Sequence, residues 1–338
     1  MRGAFDAGAG ITGQVMPKRA LDDMEIITDS AAMRYWSRAH RASGRTISLV
    51  PTMGYLHAGH LSLVREAMSR SDVCVVSIYV NPTQFAANED FGTYPRDEQG
   101  DLMKLRELGV TAVFMPERLY VSSDDGGNNE KDDGNTGDSS QSASNNNAHE
   151  TYVTAERLQL GLCSKTRPHF FRGVATVVTK LFNICDPDVA VFGKKDYQQW
   201  RVIKRVVRDL DFAIDVVGAP LAREPDGLAM SSRNVRLTSE HREKAVVLSR
   251  SLRYLKNEYE QFIMSPPRMD ETMLSYAVDV MRDEITKAGG VVDYVEVCDQ
   301  ESLEPVKSLP KDSKAVCLVA AKFGDVRLLD NMEIGGEA

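Results

Sequence analysis

Along residues 24–221, compact apolar runs alternate with stretches whose apolar positions recur at helical spacing. Met24 to Gly44 reads as a short strand and a helix, and Thr46 to Val50 (TISLV) is an apolar run with β-branched residues, the signature of a buried strand. Pro51 ends that run. TMGYLHAGH follows, then LSLVREAM, in which Leu61, Val64, Arg65 and Met68 keep helical spacing. VCVVSIYV (Val73 to Val80) is continuous rather than alternating, as expected of a strand covered on both faces of a parallel sheet. Leu102, Leu105 and Leu108 predict a helix, TAVFM (Thr111 to Met115) a strand, Gly173 to Cys185 a helix, Asp188 to Phe192 a strand, Tyr197 to Leu210 a helix, and Ala213 to Val217 a last strand. Strands alternating with helices imply right-handed crossovers, hence an α/β fold with a doubly wound parallel sheet. Beyond Pro220 the texture changes. Two helical stretches, Ser239 to Phe262 and Arg268 to Lys287, precede the runs VDYVEV, AVCLVAAKF and VRLLDN, which read as strands of a second, smaller α+β domain. The expected organisation is an extension at 1–23, a main domain at 24–221 and a C-terminal domain at 222–338.

Composition refines this picture at three points. The net charge of −8 is concentrated: residues 121–150 carry seven acids against Lys131, so the rest of the chain is nearly neutral. That segment, rich in Ser, Asn, Asp and Gly, has too few apolar residues to build a core and is expected to be a disordered insertion, cheap to the fold at a surface connection. No concentrated basic patch exists, which argues against nucleic acid as a partner, and no apolar run is long enough to span a membrane. The five cysteines are scattered, without a CxxC pair, so neither a disulfide framework nor a zinc knuckle is suggested. The expected setting is a reducing, cytoplasmic one. Residues 1–23, with three basic and three acidic residues, are too acidic for a transit peptide and are expected to form a flexible extension.

Four clusters carry chemistry, and each lies where a strand ends or the two domains join, the usual place for ligands in open α/β sheets. Thr52 to His60 runs from a strand into a helix. His57 and His60 at that helix N-terminus can donate hydrogen bonds to phosphate oxygens, while Gly54 and Gly59 let the backbone come close. Gly193-Lys194-Lys195-Asp196, followed by Tyr197-Gln198-Gln199, lies between another strand and helix; a lysine there can neutralise phosphate, although GKKD alone is an ordinary turn. Met230-Ser231-Ser232-Arg233-Asn234, with Arg223 and Asp226-Gly227 ahead of it, suits a loop closing on triphosphate or, equally, a solvated loop. Asn81 and Gln84 in VNPTQF, with Asp90 and Tyr94-Pro95-Arg96 downstream, offer amides that could hold a small hydroxy acid.

Taken in order, PTMGYLHAGH, VNPTQF, YPR, FGKKDYQQ and REPDGLAMSSRN resemble the pantothenate synthetase (pantoate–β-alanine ligase) family, from about Ile47 to Asn331 apart from the insertion. HAGH resembles the HIGH signature, and MSSRN the mobile KMSKS-type loop, of the Rossmann-like nucleotidylyltransferase and class I aminoacyl-tRNA synthetase superfamily. The resemblance implies a cytoplasmic ligase, homodimeric through its N-terminal domain, that condenses ATP-activated pantoate with β-alanine through a pantoyl adenylate, releasing diphosphate and AMP. It implies Mg2+ with ATP. It further implies ATP contacts at Met53, Gly54, Tyr55, Leu56, His57, Ala58, Gly59, His60, Gly193, Lys194, Lys195, Asp196, Ala222, Met230, Ser231, Ser232 and Arg233. Of these, His57, His60, Lys195, Ser231, Ser232 and Arg233 would serve catalysis. Gln84, Gln199 and Asn81 would hold pantoate and β-alanine, and Asp101 would lie near metal-bound phosphates. Because both reactants are anions, the chemistry needs charge neutralisation, here expected from His57, His60, Lys195, Arg233 and magnesium.

Departures from the family pattern are small: Thr83 replaces a frequent Met, Lys194 replaces a common Glu, and Phe171 stands beside Arg172. Two other readings stay open at this stage. HxGH is shared with nucleotidyl transferases that leave the nucleotide on their product, and a tRNA-binding module is a second possibility, though it lacks the basic surface such a module needs.

Overall fold

The computed structural model describes residues 24–86, 89–120, 149–262 and 268–335. The expected extension at 1–23 and nearly all of the expected insertion lie outside them. The first sheet is assembled from β1 (Glu25–Ile27), β2 (Ile47–Thr52), β3 (Val73–Ile78), β4 (Ala112–Phe114), β5 (Val189–Gly193) and β6 (Asp215–Ala219). All of its pairings are parallel, in the order β1-β4-β3-β2-β5-β6. Its crossovers are α1 (Ser30–Ala42), α2 (Ala58–Met68), α3 (Glu98–Leu108), α4 (Phe170–Cys185) and α5 (Tyr197–Asp209). Alternation within the strands feeds two cores. Ile47, Leu49, Val73, Val75 and Phe114 pack with residues of α1, α4 and α5, whereas Val50, Cys74, Val76 and Val113 pack with residues of α2 and α3. Strand order reverses between β2 and β5. Their register ends at the pair Leu49 and Ala190, before the carboxyl ends of both strands, and the crevice of a doubly wound sheet opens there.

After Ala219 the chain builds α6 (Ser239–Ala245), α7 (Val247–Phe262), β7 (Arg268–Met269), α8 (Glu271–Lys287), β8 (Val291–Asp299), β9 (Leu309–Pro310), β10 (Ala315–Phe323) and β11 (Val326–Ile334). The expected helix from Ser239 is broken at Val246 into two, and the stretch from Arg268 opens as a two-residue strand paired with β9 before its helix begins at Glu271, capped by Asp270. β11, β10 and β8 form an antiparallel sheet. In β10, Ala315, Cys317, Val319 and Ala321 face α7 and α8, while Val316, Leu318 and Ala320 join the core of the first sheet. This second sheet thus has no free face along β10: one side seals its own core and the other closes over the crevice.

Candidate active site

At the carboxyl ends of the parallel strands lies a cavity of about 940 Å3, floored by residues after β2, β3, β5 and β6 and roofed by residues 230–236 and the second sheet. Of the sequence-predicted residues, Met53, His57, Gly59, His60, Asn81, Gln84, Gly193, Lys195, Asp196, Gln199, Ala222, Met230, Ser231, Ser232 and Arg233 line it. Gly54, Tyr55, Leu56, Ala58, Lys194 and Asp101 do not, and their positions explain how the lining is held.

His57 caps α2. Its Nδ1 accepts the Gly59 N–H at 3.1 Å, and His60 Nδ1 accepts the His57 N–H at 3.4 Å, with the two rings 4.0 Å apart. A Cβ on Gly59 would stand 2.9 Å from the His57 ring, so this reciprocal cap requires glycine. With both Nδ1 atoms accepting, a neutral ring carries its proton on Nε2. Burial pushes the His57 pKa down to about 4, aided by Lys195, and burial, His57 and Lys195 push that of His60 down to about 3. Burial and Lys195 thus favour neutral rings here, each offering an Nε2–H donor at the positive end of a helix.

Asp101 lies beneath the loop. It is 1% exposed, and its two carboxylate oxygens accept the Tyr55 and Leu56 N–H groups, each at 2.6 Å. Gly54 (φ +82) and Tyr55 (φ +53) take the left-handed turn that aims those amides at it. Burial raises the carboxyl pKa and the amide bonds oppose that rise. With both oxygens engaged below the loop, Asp101 shapes the turn at Gly54–Leu56 from behind. Among the described residues, no group of three or more His, Cys, Asp or Glu side chains could hold a metal ion.

Lys195 faces the cavity with its Nζ 3.3 Å from both oxygens of Asp196. Lys194 points the other way, its Nζ 2.9 Å from both oxygens of Glu333 and 5.2 Å from the Trp200 ring centre. The turn carrying both lysines is pinned by a residue the sequence did not single out: Asn331 of β11 donates through Nδ2 to the Lys194 and Lys195 carbonyls, each at 2.9 Å. Its neighbour Asp330, 2% exposed, pairs with Arg223 at 2.7 and 2.8 Å.

Over the cavity, Arg233 makes a two-point pair with Asp90 (3.1 and 3.0 Å), joined by Arg236 at 2.5 Å, and Ser232 donates to the Tyr55 carbonyl at 3.3 Å. Burial alone would raise the Asp90 carboxyl pKa, yet the hydrogen bonds and charges of Arg233 and Arg236 hold it below the usual carboxylate range. Glu89 pairs with Arg167 at 2.7 and 2.6 Å. Asp90 and Tyr94 were visible in the sequence, but Arg167 carried no motif: only the folded chain brings it to Glu89. Asn81 and Gln84 hydrogen-bond to each other (3.0 Å) at the end of β3, and the Gln199 amide lines the cavity without a hydrogen-bond partner among the described residues.

The arrangement offers donors, cations and amides converging on one crevice, suited to an anionic nucleotide beside a small polar acid. The family model described as pantoate-beta-alanine ligase matches residues 25–333. A pantoate–beta-alanine ligase of Arabidopsis thaliana is 53% identical over 313 residues, 92% of this chain and 98% of that protein. A pantothenate synthetase of Geobacter sulfurreducens is 44% identical over 93% of this chain and 100% of its own. Among solved structures, the pantothenate synthetase of Thermus thermophilus superposes with a TM-score of 0.76 at 35% identity, covering 93% of this chain and 100% of that one. The Francisella tularensis pantoate-beta-alanine ligase, complexed with beta-gamma ATP and beta-alanine, gives a TM-score of 0.65 at 28% identity over 92% of this chain and 97% of its own.

Proposed function

This chain belongs to the pantoate–β-alanine ligase family, and on that premise we propose that its cavity joins pantoate to β-alanine at the expense of ATP. The pantoate carboxylate attacks the α-phosphorus of ATP and diphosphate leaves. The β-alanine amine then attacks the carbonyl of the resulting acyl adenylate, AMP leaves, and the amine gives up a proton as the amide forms. The observation that carries this reading is the convergence, at the crevice of the parallel sheet, of the His57 and His60 rings with Lys195. A neutral Nε2–H donates to a phosphate oxygen without having to shed a charge, and Lys195 supplies the cation near which charge accumulates. Arg233 and Arg236, held by Asp90, bring two more guanidinium groups to the roof, where Ser231 and Ser232 add hydroxyls. Gln84, Asn81 and Gln199 would hold the hydroxy acid and, at Gln84, the amine.

Magnesium enters this scheme with the nucleotide. The described residues form no cage for it, which suits an ion that travels on phosphates and keeps its waters. The residues after Ala219 act in this reading as a closing domain, and two copies of the chain pair through the first domain in a cytoplasmic homodimer. No described helix is long and apolar enough to cross a membrane, and the five cysteines are free and buried.

The test is ATP turnover by the purified chain with magnesium, D-pantoate and β-alanine, omitting each in turn. AMP and diphosphate that require pantoate, and pantothenate that requires β-alanine, are the expected products. ADP, or AMP formed regardless of pantoate, overturns the reading. Lys195→Ala lowers pantothenate formation about 100- to 1,000-fold, the size seen when one preorganised transition-state donor is removed, with the circular dichroism spectrum unchanged. Sedimentation of the full chain checks the dimer.

A further inference from the structure

Asn81 is 1% exposed and Gln84 8%, so the orientation of each amide is set by neighbours rather than by water. That orientation matters, because an amide turned one way offers a ligand a donor and turned the other way an acceptor. Asn81 Nδ2 lies 3.2 Å from the Gly173 carbonyl, a group that only accepts, so the Asn81 nitrogen must face it. The same nitrogen donates to Gln84 Oε1 at 3.0 Å. On its other side, Asn81 Oδ1 accepts the Thr83 hydroxyl at 3.0 Å. The single Thr83 proton is thereby used, and in the 3.1 Å contact between Thr83 and Tyr120 the phenol donates. Polarity therefore runs one way, from Tyr120 through Thr83 and Asn81 to Gln84. The end of the relay is the Gln84 Nε2 group, which lies 3.1 Å from the Met53 sulfur and donates one hydrogen to it; Gln84 lines the cavity, so its second N–H is left for a ligand there.

The packing beneath this turn is built to the same end. A Cβ on Gly173 of α4 would stand 2.4 Å from the Thr83 carbonyl oxygen, so only glycine lets the Pro82–Gln84 turn lie on the helix with the Gly173 carbonyl in reach of Asn81.

We propose that Thr83, backed by Tyr120, is a positioning residue that holds in place the Asn81–Gln84 amide pair whose polarity the Gly173 carbonyl sets, so that Gln84 presents a donor to a carboxylate or hydroxyl oxygen of the acid substrate. This rests on the functional reading above. Without the Thr83 hydroxyl, the buried Asn81 oxygen loses a donor; the Asn81 nitrogen stays on the Gly173 carbonyl, but the amide pair is free to tilt, which would swing the Gln84 donor away from the acid. ATP sits on other groups and should not register the change.

The experiment is steady-state kinetics on the full chain for wild type, Thr83→Val, Thr83→Ser and the double variant Thr83→Val/Tyr120→Phe, with KM for pantoate and for ATP measured separately. The double variant raises the pantoate KM about tenfold, the scale of one misdirected hydrogen bond, with the ATP KM within about twofold of wild type. Thr83→Ser keeps the wild-type pantoate KM. The near-isosteric Thr83→Val carries the test by itself, through a rise of about threefold or more, should the double variant not fold. Unchanged pantoate KM in the valine variants, equal rises for both substrates, or failure of serine to preserve the wild-type value each overturn the relay. Wild type that makes no pantothenate overturns the functional reading, and the relay with it, and is distinguished from those results by the wild-type control.

Discussion

The state of two histidines decides how the cavity can treat phosphate. His57 and His60 stay neutral at physiological pH because protonating them would place charge in a partly buried site already facing Lys195. Their folded pKa values, about 4 and about 3, lie below the 6.5 of an exposed ring, so as pH falls the unfolded chain takes up protons first. Their effect on stability is nil above about pH 6.5 and becomes destabilising between there and about pH 4. Chemical denaturation at pH 7 and pH 5 should therefore show wild type losing about 1–2 kcal/mol more than His60→Gln over that interval. Equal losses would mean that the ring is not held neutral. Asp101 offers a second test at this scale. Replacing it with Asn leaves one of the two loop amides facing an NH2 group instead of an acceptor, so melting stability falls by about 1–3 kcal/mol and ATP binding weakens. The magnesium concentration needed for half-maximal activity should not move, whereas a metal ligand would shift it.

At the scale of elements, the lysine turn between β5 and α5 does not hold itself. Asp196 makes no side-chain cap for α5, and the turn is tied instead to β11 through Asn331 and through Glu333, which takes both Lys194 and the Tyr197 hydroxyl (3.0 Å). Asn331→Ala removes the two hydrogen bonds to the lysine carbonyls and lets Lys195 wander. Its kcat should drop about tenfold or more while KM for pantoate changes little, as single-turnover and steady-state assays can separate. A variant with wild-type kcat would show that Lys195 needs no such tether.

Across the whole molecule, the second sheet and the 230–236 segment close over the crevice through charge pairs that the substrate must answer. Asp90 occupies Arg233 and Arg236, two guanidinium groups at the roof of the cavity where a triphosphate is proposed. Asp90→Ala removes an anion that competes with phosphate and also cuts the latch between residues 89–94 and 232–236. Calorimetric titration with a nonhydrolysable ATP analogue should show tighter binding by about two- to tenfold, accompanied by a lower melting temperature, because the partly buried Arg233 and the exposed Arg236 lose their shared partner. Weaker binding would mean that the latch matters more than the competition.

Much of this protein was readable from local pattern. Continuous apolar runs such as Val73 to Ile78, punctuated by Pro51, Asn81 and Gly193, specify a parallel sheet because period and burial are properties of neighbouring residues. The His57–His60 pair and the lysine turn were likewise visible, since a strand–loop–helix frame places them at a crevice whatever lies elsewhere. Helix ends were less legible: the break at Val246 and the start of α8 at Glu271 depend on contacts beyond their own periodicity. What only the tertiary structure decided is the state and support of those residues. Whether a histidine carries charge depends on burial and on Lys195, which is 135 positions beyond His60. Asp101 turned out to face backbone amides because its helix returns beneath the loop, and Asn331 reaches the lysine turn across 136 residues of chain. Such long-range partners leave no periodic trace in a sequence, because the hydrogen bond constrains where two atoms meet and not which residues lie between them.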